Sequence, residues 1–295
     1  MTTFKVSLTA TEAEAEAIAA LFTEMLDPPP AVSIADRGAL RLMEAYFAER
    51  PDLDALAALA GSRAATNFEL QEIGEENWVA LVQRGLHPVS AGRFLVHGSH
   101  DRSQGVGRRY AIEIDAGRAF GTAHHGTTRG CLLAIDRIAK RSQWRRVLDL
   151  GTGSGVLAIA AAKASTAHVL ASDIDAVAVA VARENIRQNG GLRAIRTTVA
   201  AGVDRAEIRS AAPFDLVVAN ILAGPLIRLA PRLVTLAASG GHIVLSGLLD
   251  TQAREVSATY LRLGLAFETR LSLEGWTTLI LRRPSRRNAI VRGTV

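Results

Sequence analysis

One cysteine, Cys131, stands among 295 residues. A lone thiol excludes an internal disulfide and a zinc cluster built on cysteines. Nowhere does an apolar run approach the roughly 20 residues that a membrane-spanning helix needs. The start of the chain lacks the basic residues and apolar stretch of a secretory signal, since Glu12, Glu14 and Glu16 follow soon after Met1. Internal repeats and low-complexity tracts are missing too. These absences lead to the expectation of a cytoplasmic protein without a membrane anchor. A hydrophobic content of 48% points to a globular chain rather than a disordered one.

Charge is unevenly spread. Residues 1–100 hold 7 Lys/Arg and 14 Asp/Glu, while residues 101–295 hold 27 and 15. An acidic first part joined to a basic second part suits a basic partner for the first. Two solvated faces would give the same counts.

The first 75 residues follow a β-α-β-β-α-β rhythm. Phe4–Leu8 alternates as a strand. Thr11 and Glu14 form a capping box ahead of an Ala/Glu-rich helix to about Met25, which Pro28-Pro29-Pro30 ends. Strands near 32–35 and 40–45, a helix from about Pro51 and a strand near 68–73 complete a small α+β, ferredoxin-like unit. Residues 76–118 read as a connecting segment. It holds a short helix at Glu75–Arg84, strands at Arg93–His97 and Tyr110–Ile114, and a polar loop at Ser99–Gly107.

From about Arg145 strand and helix alternate regularly. Short apolar strands are expected at 146–150, 168–172, 194–199, 215–219 and 242–246, with helices near 156–163, 176–188, 226–237 and 251–263. Short apolar strands suit a parallel sheet covered on both faces, so residues 119–283 are expected to form an α/β doubly wound sheet. Phe267–Leu273 and Thr277–Arg282, joined at Glu274-Gly275, predict a terminal antiparallel hairpin. The tail 284–295 is basic and expected to be disordered.

The chemistry concentrates after the first strand of that alternation. Val147-Leu148-Asp149-Leu150-Gly151-Thr152-Gly153-Ser154-Gly155 is a buried strand running into a glycine turn that opens a helix. Such a turn lies at the C-terminal edge of the sheet, where ligands bind. Asp173 follows Gly151 by 22 residues and ends the next strand, placed to accept hydrogen bonds from both ribose hydroxyls of a nucleoside. A dehydrogenase shares these features, but its G-x-G-x-x-G spacing serves a pyrophosphate. The G-x-G-x-G spacing here favours S-adenosylmethionine, which has no phosphate.

A second stretch is more specific. Asn220-Ile221-Leu222-Ala223-Gly224-Pro225-Leu226, with Phe120-Gly121-Thr122-Ala123-His124-His125-Gly126-Thr127-Thr128 upstream, closely resembles segments of the bacterial ribosomal protein L-eleven methyltransferase family. The resemblance covers nearly the whole chain. The chain departs from the family pattern at Ala123 (usually Gly), Gly126 (commonly Pro or Glu) and Thr152 (often Cys).

The resemblance implies a Rossmann-like methyltransferase that uses S-adenosyl-L-methionine. It implies methylation of the N-terminal α-amine and lysine ε-amines of ribosomal protein L-eleven, with the small N-terminal domain recognising that substrate. Direct nucleic-acid binding is not required. Asn220 is the expected catalytic residue. Thr128, Gly151, Gly153, Asp173, Asn220, Phe120 and Ile174 are the expected cofactor contacts, and no metal is expected. His124 and His125 suit a structural or substrate-lining role. Trp276 suits either the substrate cleft or the hairpin core, Asp175 either the adenosine edge or a turn, and Cys131 the core. A methyltransferase of RNA or of a glutamine side chain is the nearest alternative. It is disfavoured because no Tyr or Phe follows Asn220 for a planar group to stack on. A non-catalytic ribosome-associated module is a further alternative, which the intact Gly151, Gly153, Asp173 and Asn220 oppose.

Overall fold

The computed structural model describes residues 3–26, 29–38, 40–61, 68–73, 88–115, 126–191 and 193–285. The expected helix at 75–84, Phe120, His124, His125 and most of the basic tail lie outside the described residues. The chain divides into two compact units, 1–82 and 83–295.

The first unit contains β1 (Thr3–Ala10), α1 (Glu12–Met25), β2 (Ala31–Arg37), β3 (Leu40–Phe47), α2 (Leu53–Ala60) and β4 (Glu69–Ile73). Its antiparallel sheet runs β2-β3-β1-β4. Alternation in β1 sends Val6 and Leu8 to one face, where Ile18 and Phe22 of α1, Met43 of β3 and Leu56 of α2 close the core. Thr11 and Glu14 form the expected capping box, and Asp52 caps α2 through the N–H groups of Asp54 and Ala55.

The second unit begins with β5 (Val89–Ala91), β6 (Phe94–His97) and β7 (Ala111–Glu113), a small sheet that the sequence reading left inside a connecting segment. Phe94, Val96 and Ile112 share one buried cluster with Leu132 and Ile135 of α3 (Gly126–Ala139). This stretch is therefore packed into the unit rather than strung between two. Asp136 of α3 accepts hydrogen bonds from Arg93 and, at 2.7 Å, from Lys140. Burial acts to raise the Asp136 carboxyl, but Lys140 and Arg93 outweigh it and hold the group below the usual carboxylate range. The expected loop at 99–107 contains one turn of 3₁₀ helix at Ser99–Asp101 and a helical turn at Arg102–Gly105.

The remaining elements are β8 (Arg146–Leu150), α4 (Val156–Ala164), β9 (His168–Asp173), α5 (Ala176–Gln188), β10 (Ile195–Val199), α6 (Ala206–Ala211), β11 (Phe214–Asn220), α7 (Ala223–Leu236), β12 (Ala237–Leu249), α8 (Ala253–Arg262), β13 (Ala266–Leu273) and β14 (Trp276–Arg282). They build a seven-stranded sheet, β10-β9-β8-β11-β12-β14-β13, in which β14 alone runs opposite to the other six strands. Successive strand residues feed opposite faces. Val147, Val169 and Val218 pack beneath α3 and α4, while Leu148, Leu170 and Val217 pack beneath α6, α7 and α8. The sequence reading omitted α6 and started α7 three residues late. Pro225 lies in the first turn of α7, where its missing N–H has no intrahelical partner to lose, so the helix begins at Ala223. Among the described residues no helix is long and apolar enough to cross a membrane.

Candidate active site

The strand order reverses beside β8, between β9 and β11, and a cavity of about 760 Å³ opens there at the C-terminal edge of the sheet. Thr128, Gly151, Gly153, Asp173, Ile174 and Asn220 all line it. The fold thus brings together, from one helix, two strand ends and two turns, every expected site residue that lies within the described chain. Trp276, at the start of β14, lines the same cavity.

The glycine turn has the backbone that its composition demands. Gly151, Gly153 and Gly155 have φ values of +72°, +52° and +83°, a region costly for residues with a Cβ. At Gly151 a Cβ would also lie 2.4 Å from the Ile221 side chain. Across the sheet, a Cβ at Gly247, at the end of β12, would lie 2.3 Å from the Ile221 carbonyl oxygen. Two glycines therefore bracket Ile221 and fix the turn that begins at Asn220. Gly247 was not singled out in the sequence. Its signal was the Ser-Gly pair ending an apolar strand, which reads equally as an ordinary turn.

Asn220 is the last residue of β11 and is half-buried. Its Nδ2 donates to the Thr128 hydroxyl at 3.4 Å. Thr128 is buried in the first turn of α3. That helix sits close to the sheet because Gly130 has no side chain: a Cβ there would lie 2.2 Å from the Thr278 hydroxyl. The departure at Gly126 has a local reason as well, since a Cβ there would lie 2.8 Å from the Leu273 carbonyl oxygen.

Asp173 ends β9. One of its carboxylate oxygens accepts from the Gly153 N–H at 2.9 Å and the other from the Asp175 N–H at 3.1 Å. The acid therefore shapes the glycine turn as well as facing the cavity. Asp175 caps α5 through the Val177 N–H at 2.8 Å, so it has a part in the turn. Ile174 is 73% exposed and Leu222 is 70% exposed. Both line the cavity, so its wall presents two large apolar side chains.

Beneath the turn lies Asp149, almost fully buried. Its Oδ2 accepts from the Thr152 hydroxyl at 2.6 Å and from the Ala158 N–H at 3.1 Å, and its Oδ1 has no hydrogen-bond partner among the described residues. Burial, with a smaller contribution from the nearby Asp173 charge, pushes the Asp149 carboxyl up to about 6. The departure at Thr152 supplies a hydroxyl donor where a thiol would donate weakly.

The folded protein therefore holds an extra proton between the unfolded pKa, near 4, and about pH 6. Stability from this group is present at low pH and is lost as the pH rises through 6. Asp149→Asn removes the buried charge. It is expected to stabilise the fold on the order of 1–2 kcal/mol at about pH 8 and to be close to neutral at about pH 4. Urea unfolding at both pH values checks this, and destabilisation at the higher pH would contradict it.

Cys131 is fully buried, and burial pushes its thiol up to about 12, as a core residue requires. Among the described residues no cluster of His, Cys, Asp and Glu is arranged to hold a metal ion.

Comparison with known proteins places this geometry. A family model described as ribosomal protein L11 methyltransferase (PrmA) matches residues 5–284. The chain is 50% identical over 227 residues to a ribosomal protein L11 methyltransferase of Rhizobium leguminosarum bv. trifolii, covering 77% of this chain and 78% of that protein. It is 47% identical over 240 residues to one of Rhodopseudomonas palustris, covering 80% and 81%. Among solved structures it resembles a ribosomal protein L11 methylase from Lactobacillus delbrueckii subsp. bulgaricus, with a TM-score of 0.60 and 29% identity over 68% of this chain and 100% of that one.

Proposed function

This chain belongs to the ribosomal protein L11 methyltransferase family, and on that premise we propose that it binds S-adenosylmethionine in the cavity at Gly151, Asp173 and Asn220 and methylates amino groups of ribosomal protein L11. The N-terminal α-amine and lysine ε-amines are the groups that this chemistry suits. The observation that carries the reading is the convergence of a glycine turn, a strand-end carboxylate and a strand-end amide on one large apolar cavity.

The residues present fit the donor. The Asp173 carboxylate suits a ribose diol. Ile174 and Leu222, exposed and apolar, suit the faces of a planar base. The positive-φ glycines leave backbone open to an amino-acid moiety. When bound, S-adenosylmethionine supplies a methyl group on a sulfonium sulfur that departs as a neutral thioether. The chain therefore has no leaving group to protonate. Its task is to receive an amine in the neutral form and to hold its lone pair on line, so positioning accounts for most of the rate. Asn220 is placed for that role. With Nδ2 donating to Thr128, its amide oxygen remains as an acceptor for an amine N–H.

The β2-β3-β1-β4 order with two helices supports a ferredoxin-like reading of the first unit. Residues 1–82 hold 5 Lys/Arg and 14 Asp/Glu, and a unit of that charge suits recognition of a basic ribosomal protein. A cytoplasmic setting follows from such a substrate.

The cut that tests this division lies near residue 83. A cut near residue 100 would remove Phe94 and Val96 from the core of the second unit. The protein lacking the first unit is expected to keep its affinity for S-adenosylmethionine and to lose about tenfold in kcat/KM on L11. Raising salt should weaken the full chain and affect the shortened one less. The two proteins are compared by calorimetry with S-adenosylmethionine and by labelled methyl transfer to purified L11. Equal methylation by both would remove the first unit from recognition.

A further inference from the structure

Beneath α3 the face of the seven-stranded sheet changes character at the cavity edge. Val218, Val244 and Ile280 are register partners across β11, β12 and β14 and belong to the apolar core. Two residues nearer the cavity on each strand, the same face carries Asn220, Ser246 and Thr278. An apolar row thus gives way to a row of one amide and two hydroxyls.

Buried polar groups are costly unless they are paired. Ser246 is fully buried and Thr278 nearly so. Their hydroxyl oxygens lie 2.8 Å apart. Ser246 donates to the Thr127 carbonyl at 3.2 Å, while the carbonyl of Thr277 is further off, at 3.5 Å. A serine hydroxyl has one proton to give, so with Thr127 as its acceptor Ser246 accepts from Thr278. Thr278 also lies directly under Gly130, where a Cβ would come within 2.2 Å of its hydroxyl. Asn220, the third member of the row, donates to Thr128 at 3.4 Å. The row therefore grips Thr127, Thr128 and Gly130, all at the start of α3.

The place of this grip gives it a consequence for the reaction. The first four N–H groups of a helix have no partner within it, so the opening turn is the least constrained part. The Thr127 carbonyl and the Thr128 N–H belong to one planar peptide. Holding that carbonyl fixes the plane from which Thr128 continues, and Thr128 is the partner of the Asn220 amide.

We propose that Ser246, supported by Thr278, is a positioning residue for methyl transfer. Through the Thr127–Thr128 peptide it sets the direction of the Asn220 amide oxygen. Ser246 does not line the cavity, so it acts through these neighbours rather than on donor or amine. The inference rests on the role proposed above for Asn220 and adds what holds that residue on line. Alanine at 246 deletes the donor to Thr127 and leaves Gly151, Gly153 and Asp173 in place. Donor binding is then spared while the aim of the amide is loosened.

The test is a double-mutant cycle in the full chain. Single-turnover methylation of purified L11 at saturating S-adenosylmethionine is followed for the parent, S246A, N220A and S246A/N220A. S246A is expected to lower the rate about tenfold, with donor affinity by calorimetry changed less than about twofold. In the N220A background the same exchange should alter the rate by less than about twofold, because no amide is left to aim. A hydroxyl that merely holds the fold would lower the rate by the same factor in both backgrounds, and that result overturns the proposal. An unchanged rate in S246A overturns it as well. Parental turnover in N220A would remove the role of Asn220 and this inference with it, a failure visible in that arm alone. Melting temperatures of all four proteins expose a folding defect. Thr278→Val keeps the shape of the side chain and removes the hydroxyl that supports Ser246. It carries the same cycle if S246A does not fold, and its effect should likewise vanish in the N220A background.

Discussion

Replacing Asn220 by alanine is expected to lower turnover by about a hundredfold while changing the affinity for S-adenosylmethionine far less. The reason lies in how rigidly the residue is held. β11 carries Asn220 to the edge of the sheet, and Gly151 and Gly247 clamp the following residue from both sides. Thr128 then receives its amide N–H, so the amide oxygen has one preferred direction. Alanine keeps the backbone clamp and loses the director of the amine. Methyl transfer depends on a lone pair aligned with the carbon–sulfur bond, so freedom of the nucleophile is paid directly in rate. Single-turnover methylation of L11 at saturating donor, beside calorimetry of donor binding, separates the two effects. A collapse of binding with normal turnover of the bound complex would make Asn220 a cofactor ligand only.

Asp173→Ala is expected to weaken S-adenosylmethionine binding by about ten- to a hundredfold, the loss that corresponds to about 1.5–3 kcal/mol for hydrogen bonds to a charged acceptor. The structure adds a second route to the same loss. Both carboxylate oxygens already accept backbone N–H groups, from Gly153 and Asp175, so alanine also releases the glycine turn. Asp173→Asn retains an amide oxygen for one of these contacts and should lose less than alanine does. Calorimetric titration of both variants checks the order. An unchanged dissociation constant in the alanine variant would remove Asp173 from the site.

The alternation of short strands and helices after Arg145 was legible because most of the strands are largely apolar runs flanked by turn residues, and the observed sheet follows it. The glycine turn and the acid ending the next strand were legible for the same local reason: backbone sterics and strand ends write themselves into composition. Within residues 88–115 the strands near 93–97 and 110–114 were legible, but the three-residue β5 and the membership of the stretch in the second unit were not. That membership depends on Phe94, Val96 and Ile112 packing with α3, which no local pattern displays. Helix α6 was missed likewise, being six residues long.

The sequence by itself determined the class of the second unit, the edge of the sheet where the cavity opens and the residue types that meet there. Each of these depends on neighbours in the chain. Tertiary structure alone decided what depends on residues far apart. It set Gly247 against Ile221, Thr128 against Asn220, and Gly130 against Thr278, so that a missing side chain in one element sets the position of a functional group in another. It also decided the state of Asp149, an ordinary acid in sequence. Its titration is moved because the fold withdraws water from one carboxylate oxygen and provides no donor in exchange.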